Sequence, residues 1–124
     1  MKNLLRIPII IWLIGRIFAH MSFLIPAARL RETPNLIAFR HPSPGYKFHV
    51  LIIPKREAAS LAQLDPADTA FLTDLYSTVQ SLVDEFHLQA YRLIVNGGEY
   101  QDFPHLHFHL ISNTGAQAHP PQRD

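Results

Sequence analysis

Apolar residues follow two different rhythms along the chain, and the change of rhythm marks out the elements. Leu36-Ile37-Ala38-Phe39, His49-Val50-Leu51-Ile52-Ile53 and Tyr91-Arg92-Leu93-Ile94-Val95 are short runs bounded by turn residues, and each predicts a strand. His105-Leu106-His107-Phe108-His109-Leu110-Ile111 alternates polar and apolar, the period of a half-buried strand. Ala27 to Leu30, entered after Pro26, predicts a short edge strand. Between the second and third runs the period lengthens: Phe71, Leu72, Leu75, Val79, Leu82, Val83 and Phe86 form one stripe on a helix of about 20 residues. Asp65-Pro66 predicts its start, with Asp as N-cap and Pro at the first helical position, and it should end near His87.

The connections carry turn chemistry. Arg31-Glu32-Thr33-Pro34-Asn35 is a turn, and His41-Pro42-Ser43-Pro44-Gly45 is a stiff loop that would join two antiparallel strands. Arg56 to Leu64 reads as a loop with a helical turn. Asn96-Gly97-Gly98-Glu99 is a turn where the backbone can approach a ligand closely. Strand, loop, strand, helix, strand, loop, strand predicts an α+β domain on an antiparallel sheet.

Residues 1–16 form an apolar extension ahead of the domain at 17–112, and a polar tail follows at 113–124. The leader is uninterrupted only from Ile7 to Ile14, too short for the roughly 20 apolar residues of a bilayer span. Extending it takes in Arg16 and His20, at a cost of about 2.5–3.5 kcal/mol for a charge near mid-bilayer. A basic start before an apolar core also suits a signal peptide, but no small-x-small cleavage site follows. Two readings stay open: residues 4–24 lie on a membrane surface with Trp12 at the headgroups, or they form an apolar helix packed on protein. The expected location is the cytoplasm, with the inner face of its membrane as the surface for the first reading.

Composition narrows the function. At 124 residues the chain has room for one core. Eleven basic against ten acidic residues leave a formal charge of +1, so no basic field draws it to nucleic acid. There is no cysteine, hence no disulfide, thiolate nucleophile or cysteine zinc site.

The eight histidines stand out. On a strand His105, His107 and His109 would share a face at steps of roughly 6.6 Å. His49 begins a neighbouring strand and could support them, whereas His20, His41, His87 and His119 have no such context. Imidazoles titrate near neutrality and serve as nucleophile, proton donor or metal ligand. Three chemistries suit the cluster. Metal hydrolysis needs three imidazoles converging on one ion, which successive positions on a straight strand rarely do. Proton transfer needs only one or two. Attack on phosphorus uses one imidazole as nucleophile and its neighbours to orient it and stabilise charge, and His107, flanked on both sides, is the natural nucleophile.

His105 to Ile111 resembles the His-φ-His-φ-His-φ-φ signature of the histidine triad (HIT) superfamily, and is most similar to its small nucleoside-phosphoramidase branch. Ile25-Pro26-Ala27, Leu36 to Phe39, His49 to Lys55, Tyr91 to Asn96 and Gln101 resemble family positions in order. His109 stands where the uridylyltransferase branch has glutamine.

The resemblance implies a five-stranded antiparallel sheet with one long helix and a homodimer with a ten-stranded sheet, to which this chain's apolar pattern adds an N-terminal helix. It implies a nucleotide substrate (a phosphoramidate, adenylate or dinucleoside polyphosphate), attacked at the α-phosphorus by His107 to give a nucleoside-phosphohistidine that water hydrolyses. His109 would hydrogen-bond the phosphate or bridging atom. His105 and His49 would orient His107; Asn96, Gln101, His41 and Ser43 would contact the nucleotide, and Phe39 would wall the base pocket. No cofactor or metal is implied, since the Cys-x-x-Cys of some members is missing. Departures fall around the site: His41, followed by Pro42 and Ser43, takes the place of the family's ribose-binding aspartate, and Asp102 replaces a serine. The alternative reading is a membrane-associated nucleotide-binding or scaffold protein with weak or no turnover.

Overall fold

The computed structural model describes Arg16 and residues 28–114. The apolar leader, Ile25-Pro26-Ala27, His20, the tail beyond Thr114 and His119 lie outside the described residues. Among the described residues no helix is long and apolar enough to cross a membrane.

Among residues 28–114, five strands and one α-helix follow in the order β1 (Arg29–Glu32), β2 (Leu36–Arg40), β3 (Phe48–Pro54), α1 (Thr69–Glu85), β4 (Arg92–Val95) and β5 (Phe108–Ser112). Every pairing is antiparallel, and the spatial order is β1-β2-β3-β5-β4. The α+β sheet and long helix expected from the pattern are both present. The first strand runs Arg29–Glu32 rather than Ala27 to Leu30, with a bulge between Arg29 and Arg31.

Alternation decides what each face of the sheet does. Leu36, Ala38, Phe48, Val50, Ile52, Phe108 and Leu110 face α1 and join Phe71, Leu75, Val79 and Leu82 in the main core. Ring pairs Phe71–Phe108 and Phe48–Phe86 connect helix to sheet. On the opposite face Ile37, Phe39 and Ile53 form a second apolar cluster with Leu51 against it. His49 and His109 share the parity of that second face.

The helix begins later than Asp65-Pro66 predicts. Asp68 is the N-cap: its carboxylate accepts from the Phe71 amide at 3.2 Å and pairs with Arg56 at 2.6 Å. Asp65 instead closes a turn by accepting from the Ala67 amide. Two caps compete in Asp65-Pro66-Ala67-Asp68, and the one that also binds a cation wins. At the other end Leu88 N–H reaches the Val83 carbonyl and His87 N–H the Asp84 carbonyl, a Schellman closure. His87 takes the left-handed conformation there, φ 55°, a position that usually favours glycine.

The last strand is shorter than the alternation predicts. Leu106 N–H bonds the Ala58 carbonyl and the His107 ring takes the His105 carbonyl, so these main-chain groups are unavailable to the ladder. Pairing starts at Phe108, opposite Ile52 and Val95.

Asp68→Ala should destabilise the fold by about 1–2 kcal/mol in urea unfolding, through the lost cap and ion pair, and Asp65→Ala by less than about 0.5 kcal/mol. The reverse order would place the cap at Asp65.

Candidate active site

The ladder bonds that carry β2 into β3 run one step past the strand end. Arg40 pairs with Val50, and His41 N–H then donates to the His49 carbonyl at 2.9 Å. This sets His41 beside His49, with ring centroids 4.3 Å apart. In the next pair Leu51 lies opposite His109, and His49 opposite Ile111. His49 and His109 are therefore diagonal neighbours on one face, within reach for imidazoles. Their rings meet: His49 Nε2 is 3.0 Å from His109 Nδ1.

His107 and His109 face a cleft of about 390 Å³, with ring centroids 5.1 Å apart and edge to face. Phe39, Leu51, Ile53, Pro42 and Phe103 give the cleft an apolar wall, and Asn96, His41 and Asp102 are its other polar members. Gly98, at φ 58°, supplies the left-handed turn just after Asn96. The predicted residues Phe39, His41, Asn96, His107 and His109 are thus brought together.

The other predicted residues do not line the cleft. His105 is buried, with Nε2 3.3 Å from the Pro54 carbonyl. It does not line the cleft, so the three imidazoles do not form an open row. His49, expected to orient His107, contacts His109 instead. Gln101 is buried and donates to the Ala59 and Phe103 carbonyls, bracing the loop that holds Phe103 in the wall. Ser43 is exposed, and its amide donates to His41 Nδ1 at 2.9 Å. His41, without context in the sequence pattern, proves to be a cleft residue. Counting the β2–β3 register one step further would have found it. Leu51 and Ile53 were also readable, since they share the parity of His49.

Main-chain groups settle which ring nitrogen carries each proton. His107 Nδ1 lies 2.8 Å from the His105 carbonyl. A carbonyl only accepts, so the proton is on Nδ1 and Nε2 presents its lone pair. Gly45 N–H donates to His49 Nδ1 at 3.0 Å, so the proton of His49 is on Nε2, facing His109. His109 Nδ1 then accepts, and its own proton sits on Nε2. One ring offers a nucleophilic nitrogen and its neighbour an N–H donor.

Burial disfavours the charged form of His109, His105 and His41. It pushes His109 down to about 4, with the charges of His107 and His41 acting the same way and Asp102 opposing. Burial also depresses His105 to about 4, against the Pro54 hydrogen bond. His41 is lowered by burial and then by His107.

Ring nitrogens of His41, His49 and His109 lie within 4.8 Å of one another, a spacing three ligands of one ion could adopt. Their second nitrogens argue against it. A metal-bound histidine donates its other N–H to an acceptor. Here the Nδ1 atoms of His41 and His49 each face an amide donor, so coordination through Nε2 would strip those rings of their last proton. The cluster is arranged to hold protons.

The HIT-domain family model matches residues 23–116. The chain belongs to the HIT family. The adenosine 5′-monophosphoramidase HNT1 of Saccharomyces cerevisiae is 36% identical over 89 residues, which cover 70% of this chain but 54% of that protein. The chain thus spans just over half the length of that relative. A HIT-like protein of Synechococcus elongatus is 34% identical over 100 residues, 78% of this chain and 87% of its own. Among solved structures, a HIT family hydrolase of Legionella pneumophila superposes with a TM-score of 0.70 at 28% identity, covering 78% of this chain and 90% of that one. In this HIT protein His49 falls on β3, and His105, His107 and His109 on the segment that leads into and through β5.

The buried neutral histidines predict an acid-sensitive fold. Because His105 and His109 take up protons more readily when unfolded, stability is full above about pH 6.5 and falls as pH drops toward 4. The loss should reach about 3 kcal/mol for His105, and less for the half-exposed His109. Glu32 and Asp68, held below the ordinary carboxylate range by Lys55 and Arg56, add stability that is present at neutral pH and is lost as pH falls through and below that range. Urea midpoints at pH 7 and 4.5 check this, and equal midpoints would contradict it.

Proposed function

We propose that the cleft binds a nucleotide and that His107 takes its α-phosphoryl group in a covalent nucleoside-phosphohistidine, which water then hydrolyses. The observation that carries this reading is the opposed polarity of two rings 5.1 Å apart, His107 with Nε2 bare and His109 with Nε2–H. A nucleophile and an electrophilic stabiliser side by side are what displacement at phosphorus requires. As the bond from His107 Nε2 to phosphorus forms, the bond to the leaving atom breaks and both electrons go with that atom. His109 Nε2–H hydrogen-bonds the leaving atom or the phosphoryl oxygens. The His105 carbonyl, held to His107 Nδ1–H, stabilises the positive ring that forms. Water attacks the intermediate and releases the nucleoside monophosphate, and the electron pair returns to His107.

The rest of the cleft suits a nucleoside. Phe39, Leu51 and Ile53 offer an apolar wall to a base, while Asn96 and His41 supply donors for the sugar and phosphate. The name of the yeast relative, adenosine 5′-monophosphoramidase, supports the same substrate class. The β4 strand ends the sheet and offers its outer edge to a second copy, which would extend it to ten strands.

Incubation with adenosine 5′-phosphoramidate should release AMP, read by chromatography. His107→Ala should lose this activity by about 10⁴-fold or more while still binding AMP. Release of AMP by that variant at the wild-type rate would overturn the mechanism. Wild-type protein that binds AMP without turnover would be a nucleotide-binding protein instead.

A further inference from the structure

The loop His41-Pro42-Ser43-Pro44-Gly45 ends on an amide that fixes the direction of every hydrogen bond beyond it. Gly45 N–H donates to His49 Nδ1, and His49 Nε2 lies 3.0 Å from His109 Nδ1. Hydroxyls and waters can reverse such a chain, because they donate and accept. An amide cannot, because its nitrogen has only a proton to offer. A second proton on His109 would have to enter at Nδ1, against the His49 N–H. His49 could make room only by moving its own proton to Nδ1, against the Gly45 N–H. The groups facing His109 are His107 on its own segment, His49 from β3, His41 from the loop and Asp102 from the approach to β5. Asp102 alone would favour an extra proton.

We infer that the Gly45 amide, acting through His49, locks His109 as a neutral hydrogen-bond donor, and that the natural leaving group therefore departs without taking a proton from the protein. This rests on the nucleotidyl-transfer reading above. The leaving groups that fit are carboxylates, phosphates or polyphosphates, and amines already protonated in the substrate. In each the bond to phosphorus breaks with both electrons going to the leaving atom, the bond to His107 Nε2 forms, and the His109 proton stays on nitrogen. An alkoxide, which needs a full proton to leave, does not fit. Gly45 and His49 are positioning residues in this scheme. The role of Gly45 lies in its N–H: a Cβ there would meet nothing within 4 Å.

The direct test is the nitrogen NMR spectrum of the imidazoles in protein labelled with ¹⁵N-histidine near neutral pH, with and without AMP. His49 and His109 should each show a protonated Nε2 and a bare Nδ1, and His109 should keep that pattern with AMP bound. Nδ1–H on either ring, or a doubly protonated His109 in the complex, overturns the inference. His49→Gln can accept from Gly45 through its carbonyl and donate to His109 through its amide, so the pattern of His109 should survive. In His49→Leu it should shift toward Nδ1–H, and an unchanged pattern there counts against the lock. First-turnover release from aryl diesters of AMP gives a second readout. Phenol should leave about tenfold or more slowly than p-nitrophenol, since no proton transfer levels them. Equal rates overturn the inference. Release of neither defeats the nucleotidyl-transfer reading and leaves the NMR result standing on its own.

Discussion

A slip of one residue between β3 and β5 would carry His109 from the cleft to the helix side and put Leu110 in its place. The pairing of Leu51 with His109 is therefore the constraint on which the site depends. It is held by the core: Val50, Ile52, Phe108 and Leu110 are buried against α1, and their parity leaves His49 and His109 only the opposite face. The same register makes His49 the diagonal neighbour of His109. Packing on one side of the sheet decides chemistry on the other.

Main-chain groups then assign the roles. The two cleft histidines have the same side chain and comparable exposure, yet one meets a carbonyl and the other ends a chain that starts at an amide. Their difference in function is a difference in backbone partner. This also explains why a cluster with metal-like spacing is better described as a proton-holding array: the donors and acceptors around it match neutral rings.

Much of this was legible in the sequence. Periodicity separated four strands from the helix, and the alternation at His105 to Ile111 marked the site. The failures were local competitions that pattern does not resolve. Asp65 and Asp68 both suit a helix start, and only the tertiary contact with Arg56 selects Asp68. His105 continues the alternation, yet its own carbonyl accepts from the His107 ring and the next amide, Leu106 N–H, donates to the Ala58 carbonyl, so this stretch leaves the ladder and His105 is buried. His41 stood out only through the family resemblance, and its place beside His49 follows from the β2–β3 register rather than from the apolar pattern. Gln101 belongs to the expected set but braces the loop through two carbonyls instead of facing the cleft.

The central claim is that phosphoryl transfer passes through His107, and the stereochemical course at phosphorus tests it most directly. A nucleoside phosphoramidate made chiral at phosphorus with sulfur can be hydrolysed in ¹⁸O-water and the configuration of the product read. Two in-line displacements, first by His107 and then by water, give net retention. Net inversion would mean that water attacks phosphorus directly, and would contradict the account.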